Sequence, residues 1–341
     1  MNDPLPPRFN PLLRFVRDHA PALLVLALGI GVYHWVYAGF FSAESVGHDF
    51  SFILPMLLEN DYWIRNNGIL ATNWFLPGLC GGQPGFPDLQ NMFFSIPQWL
   101  TLFLPPIQAV YATVLLFAVA GYWGMYLFLA RILRMPGGMA VAGAILFMFN
   151  GFFAARMMVG HFTFHAFMLL PLLAHLLVRP LPAERHWSRE VPWAVALGLG
   201  GAYLIHAGMI NLLLPALLIL FGLVGLALTV DPLPARTCLV RWPLAALLTI
   251  SLSASKVLAG VALLDTFPRS DYSLPGFTSP WHTLLALGRS LFWQPEELQT
   301  NYFSHMAYLQ WGLDVHEWMF GISPLPLALL LAWLILRWSL G

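Results

Sequence analysis

Apolar runs of 18 or more residues recur from one end of this chain to the other, and that repetition restricts the fold more than any motif does. A hydrocarbon layer of about 30 Å is crossed by roughly 20 helical residues, and only structures that satisfy their own backbone groups can cross it. The runs predict spans at about Pro21–Phe41, Ile107–Ala130, Gly137–Ala154, Phe162–Val178, Pro192–His206, Met209–Val230, Trp242–Leu264 and Ile322–Leu340. A soluble helical protein would need polar helix faces and charged loops. Here 59% of residues are hydrophobic, only 9% are charged, and mean hydropathy is +0.71. The expectation is an all-α polytopic membrane protein, residues 1–341 forming one transmembrane domain of about eight helices. The break between the fifth and sixth spans rests on His206-Ala-Gly; a single long helix there would reverse everything downstream.

The sequence before the first span carries Arg8, Arg14 and Arg17, and the span ends in Trp35, Tyr37, Phe40 and Phe41, an aromatic belt rather than a cleavage site. With residues 1–20 in the cytoplasm, eleven arginines fall inside: Arg8, Arg14, Arg17, Arg131, Arg134, Arg179, Arg185, Arg189, Arg236, Arg241 and Arg337. Five cations fall outside: Arg65, Arg156, Lys256, Arg269 and Arg289. That asymmetry follows the positive-inside rule and predicts two large outer segments, residues 42–106 and 265–321. Zero net charge and the lack of a basic run give no sign of nucleic-acid binding, and two cysteines make no disulfide framework.

The first outer segment holds the chemistry. Asp49, Glu59, Asp61 and Asp88 fall between Ser45 and Pro97, with Glu44 just before and His48 beside Asp49. Phe50, Ile53, Leu54, Leu57, Leu58 and Ile64 form a helical stripe, with Glu59, Asn60, Asp61 and Arg65 largely off it, as in a helix lying on a membrane surface. The residues from Met92 to Leu104 are apolar but too few to cross, so a re-entrant or interfacial segment is expected. Three features converge on this face: Asp49; the broken helix end Asn150–His161 with Arg156 and His161; and Lys256, the single lysine, inside an apolar span. An ionisable group at that depth faces a polar cavity or a partner, or it snorkels to the interface. Arg156 suits a lipid headgroup as well as a site, and His161 suits helix-end polarity. Asp49, before the helix at Phe50, suits an N-cap as well as a catalytic base.

Other motifs fail on context. Ser253-x-x-Lys256 lies in a span without partner motifs, Gly81-Gly82 lacks the P-loop lysine, and His316-Glu317 lacks a second histidine for zinc. No Asp-x-Asp pair offers a seat for a nucleotide–metal complex.

Gly47-His48-Asp49, Asn73-Trp-Phe, Gly81-Gly-Gln-Pro84, Gly160-His161 and His316-Glu317-Trp318 together resemble the bacterial YfhO-like integral membrane proteins, which are similar to GT-C class glycosyltransferases. The resemblance implies a GT-C-like fold in the bacterial inner membrane, with the active site on the periplasmic face. It implies transfer of a sugar from a polyprenyl-phosphate donor to a lipid, glycan or protein acceptor, with membrane lipids as surroundings. Asp49 would be catalytic, and His48, Arg156, His161, Lys256 and Glu317 would bind substrate. No cofactor is specified; a divalent cation stays open. Relatives usually continue with further spans and an outer domain, so a truncated member is also expected. Simple chemistry agrees. A phosphate leaving group needs cations, and an acceptor hydroxyl needs a carboxylate base. A lipid-linked-glycan transporter and a non-catalytic assembly subunit are the rival readings.

Overall fold

The computed structural model describes residues 11–41, 49–79, 81–179, 190–230, 235–267, 279–292 and 321. Eleven α-helices form among them: α1 (Pro11–Phe41), α2 (Phe50–Asn67), α3 (Ile96–Thr101), α4 (Pro106–Leu127), α5 (Gly137–Met148), α6 (Gly151–Met158), α7 (Leu170–Val178), α8 (Val191–His206), α9 (Leu213–Val230), α10 (Ala235–Thr266) and α11 (Pro280–Phe292). A two-residue antiparallel hairpin, β1 (Phe75–Leu76) and β2 (Gln83–Pro84), interrupts the segment between α2 and α3. Five helical stretches among the described residues are long and apolar enough to cross a membrane: Phe15–Gly39, Pro106–Ile132, Gly137–Met158, Met209–Val230 and Thr237–Thr266. The shorter Phe162–Val178 begins as a 3₁₀ helix over Phe162–Leu169. That form rises about 2.0 Å per residue against about 1.5 Å in an α-helix, so the stretch still reaches roughly 30 Å.

Helix α4 is the hub. Val110, Val114, Phe117, Ala118 and Tyr122 are buried along it, and α1, α3, α5 and α7 pack around it. Two tyrosines of α1 fasten it to the α5–α6 strip: Tyr33 Oη donates to Met148 O at 2.5 Å and Tyr37 Oη to Ala154 O at 3.1 Å. Apolar association gains little inside a bilayer, so close backbone approach and hydrogen bonds hold its helices together. Helices α8 and α10 show this. A Cβ at Gly198 would lie 2.9 Å from the Leu248 Cβ, and Thr249 Oγ1 donates to Gly198 O at 3.0 Å.

The contacts sort the helix ends into two groups. At one end His19 meets Tyr126 (3.1 Å) and Arg131 (3.4 Å). There too Arg241, fully buried, pairs with Glu190 at 2.7 Å and donates to Leu176 O at 2.6 Å. At the other end the segment from Asp49 to Asn91 touches the α6, α8 and α10 ends: Asp49 N donates to Val159 O, Gln90 lies against Gly208, and Leu89 lies against Gly260. The N-terminal part of α1, the residues just after α4 and Glu190 before α8 thus fall in one group, and the ends of α6, α8 and α10 fall in the other.

Several details differ from expectation or refine it. The break at His206-Ala-Gly exists: α8 stops at His206, and Gly208 takes φ +82 before a short 3₁₀ turn leads into α9. A side chain at Gly208 would also strike Gln90 O at 2.6 Å, so glycine is needed twice over. The Phe50–Asn67 helix forms, but Asn60 lies on its buried face beside Met56, Leu57 and Ile64 rather than off the stripe. The short apolar segment holds only the six-residue α3, whose Pro97, Gln98 and Thr101 are buried against α2 and α4. The span at Ile322–Leu340, and residues 268–278 and 293–320, lie outside the described residues.

Candidate functional site

Asn150 starts the local structure that builds the site. Its side chain accepts from Phe153 N at 2.8 Å, capping α6 after α5 has ended. Two turns later the helix delivers Arg156, nearly buried, and the chain then reverses at Gly160. Gly160 sits at φ +83, and a Cβ there would lie 2.5 Å from Phe50 N. Only glycine permits this contact, which draws residues 159–161 onto the start of α2. Asp49 N donates to Val159 O at 3.1 Å, and the Asp49 side chain meets His161.

The three polar groups form a relay. His161 Nε2 lies 3.1 Å from Asp49 Oδ2, and Arg156 Nη1 lies 2.6 Å from His161 Nδ1. A guanidinium nitrogen only donates, so His161 Nδ1 accepts. Its Nε2 therefore carries the hydrogen and donates it to the carboxylate. Phe152 and Phe164 flank the guanidinium, with ring centres 5.6 and 5.2 Å from Cζ. Asp49 stands where an N-cap would, yet its side chain makes no capping hydrogen bond; its backbone oxygen receives Phe52 N and Ile53 N instead. The carboxylate is 54% exposed while His161 is 18% exposed, so the acid faces outward and its support lies behind. A carboxylate so held can accept a proton, and the cation behind it favours an anionic ligand nearby.

Lys256 belongs elsewhere. It neither snorkels nor joins this trio in the contacts observed: it is 1% exposed, and Nζ donates to Asp88 O at 2.8 Å and Asn91 O at 2.6 Å, over the Phe86 ring. It clamps the loop that follows β2, beside a cavity of about 450 Å³ bordered by Asp88, Gln90, Asn211 and Gly260. His48 and Glu317 lie outside the described residues. Gly321, four positions beyond Glu317, accepts from Gly151 N at 2.7 Å at the other end of α6.

No protein family, curated protein or solved structure matches this chain. Among the described residues no group of three or more His, Cys, Asp or Glu side chains could hold a metal ion.

Sequence reasoning missed two polar networks. Asn60 Nδ2 donates to Asn91 Oδ1 (3.1 Å) and Asn73 Nδ2 to Asn60 Oδ1 (3.4 Å), all three buried, which ties the loop to α2. His165 pairs with Tyr203 Oη at 2.7 Å, and Tyr203 Oη also receives Ile96 N at 3.3 Å. Asn60 was findable, because it falls four residues from both Met56 and Ile64. Further along α2, Arg65 donates to Asp61 at 2.8 Å; that hydrogen bond, with the Asp61 charge, holds its pKa above the usual arginine value.

Proposed function

We propose that the chain is a membrane glycosyltransferase related to the YfhO-like proteins and, through them, to the GT-C class. It moves a sugar from a polyprenyl-phosphate donor to a lipid, glycan or protein acceptor at the outer face of the bacterial inner membrane. The observation that supports this is the Asp49–His161–Arg156 arrangement. Asp49 is free of capping duty, open on one side and hydrogen-bonded by an oriented imidazole on the other. In this reading Asp49 takes the proton of the acceptor hydroxyl as it attacks the anomeric carbon. His161 positions the carboxylate, and Arg156, through its own charge, favours the departing phosphate.

The test is Asp49→Asn. Asparagine fills the same space and cannot take the proton, and general-base loss slows turnover by about 10²–10⁴-fold. A deletion strain should lose a surface glycan or glycolipid that the wild-type gene restores. At equal membrane levels the Asp49→Asn gene should fail to restore it. Full restoration by Asp49→Asn would remove Asp49 as the base and with it this reading.

A further inference from the structure

A second site, away from Asp49, lies between α2 and the hairpin. A cavity of about 700 Å³ opens there, bordered by Glu59, Tyr62, Trp63, Asn73, Trp74 and Phe75. Three of its four aromatic side chains are more than half exposed: Tyr62 71%, Trp74 57% and Phe75 55%. An aromatic belt alone would explain rings at a membrane interface. It does not explain the carboxylate among them.

Glu59 Oε2 is buried and makes no hydrogen bond. Donors along the same wall and along α2 are committed elsewhere. Trp63 Nε1 donates to Ala71 O at 2.7 Å, Asn73 Nδ2 donates to Asn60, and Arg65 is held by Asp61 and by the Thr101 and Leu102 carbonyls. The loop also leaves room for this acid, because a Cβ at Gly78 would lie 2.2 Å from Glu59 Oε1. A wall that offers an unpaired carboxylate and ring faces lacks one partner, a cation that carries its own N–H donors. The negative faces of the rings favour the same charge, and the carboxylate disfavours ligands whose only charge is negative.

We propose that this cavity binds an ammonium-bearing ligand, an aminosugar or an ethanolamine lipid headgroup, with the ammonium on Glu59 and its carbon skeleton against Trp74 and Phe75. The proposal does not depend on the transferase reading, since it concerns binding alone.

Equilibrium dialysis of the purified full chain in non-ionic detergent, with radiolabelled glucosamine and glucose, tests it. Glucosamine should bind at least about tenfold more tightly than glucose. Glu59→Gln should abolish that preference. Trp74→Leu, which keeps the charge at a largely exposed position, should weaken glucosamine binding several-fold. Asp49→Asn should bind it like the wild type, which separates this site from catalysis. In nanodiscs, displacement of glucosamine by phosphatidylethanolamine but not phosphatidylglycerol would identify the headgroup as the natural source; retention would identify the sugar. Equal binding of glucose and glucosamine, undiminished glucosamine binding by Glu59→Gln, or no binding of glucosamine would overturn the proposal.

Discussion

Replacing Lys256 with methionine sets two terms of similar size against each other. The ammonium donates to two loop carbonyls, and each hydrogen bond to a charged group contributes about 1.5–3 kcal/mol, so about 3–6 kcal/mol is lost. Against that, a lysine within a span costs roughly 2.5–3.5 kcal/mol on insertion scales, and methionine removes this penalty. Overall stability should therefore fall by no more than about 3.5 kcal/mol, and membrane levels should be normal. The local effect is larger in kind, because the Asp88 and Asn91 carbonyls then face an apolar side chain and the loop opens more often. If docking weakens by about 2–3 kcal/mol, amide exchange there should accelerate roughly 30- to 150-fold. Phe86, Asp88, Gln90 and Asn91 carry the reporting amides, each bonded within the folded loop or to Asn73. Hydrogen exchange read by mass spectrometry over residues 82–95 makes the measurement. Unchanged protection in Lys256→Met would show that the clamp contributes nothing to docking, and poor insertion would refute the penalty assigned to the buried charge.

Three further outcomes are expected. Arg241→Met should destabilise the protein by about 3–5 kcal/mol in thermal unfolding, because Glu190 is left buried and unpaired, and adding Glu190→Gln should recover much of that loss. Gly160→Ala should cost about 1–3 kcal/mol from its positive φ, plus the clash with Phe50 N, and should abolish glycan restoration by separating Asp49 from His161; normal function would mean that the contact is dispensable. An impermeant thiol reagent on intact cells should label Cys80, in the segment expected on the outer face, and spare Cys238 near Arg241; labelling of Cys238 alone would invert the orientation.

The helices were legible because hydrophobic length needs no partner to be recognised, and even the break at Gly208 was announced by one polar step. The site was legible only as separate pieces. Asp49, Arg156 and His161 stand out as ionisable residues in an apolar chain, but what joins them is the φ of Gly160 and a close backbone contact, which spacing does not encode. Lys256 was read correctly as needing a partner. The partner was missed because a backbone carbonyl has no residue identity, so nothing in the letters at Asp88 or Asn91 marks it. Asn60 was misplaced by letting polarity outrank periodicity.

The Lys256 clamp also imposes an order on biogenesis. Its two acceptors are made 168 and 165 residues before the donor. At synthesis rates of about 5–20 residues per second, the loop waits roughly 8–33 seconds for α10 to emerge. Throughout that interval the intervening helices insert while the loop has no anchor of its own on α10. Closing the first segment is thus a late act, and a nascent chain halted before Lys256 displays an unclamped Gly- and Pro-rich loop.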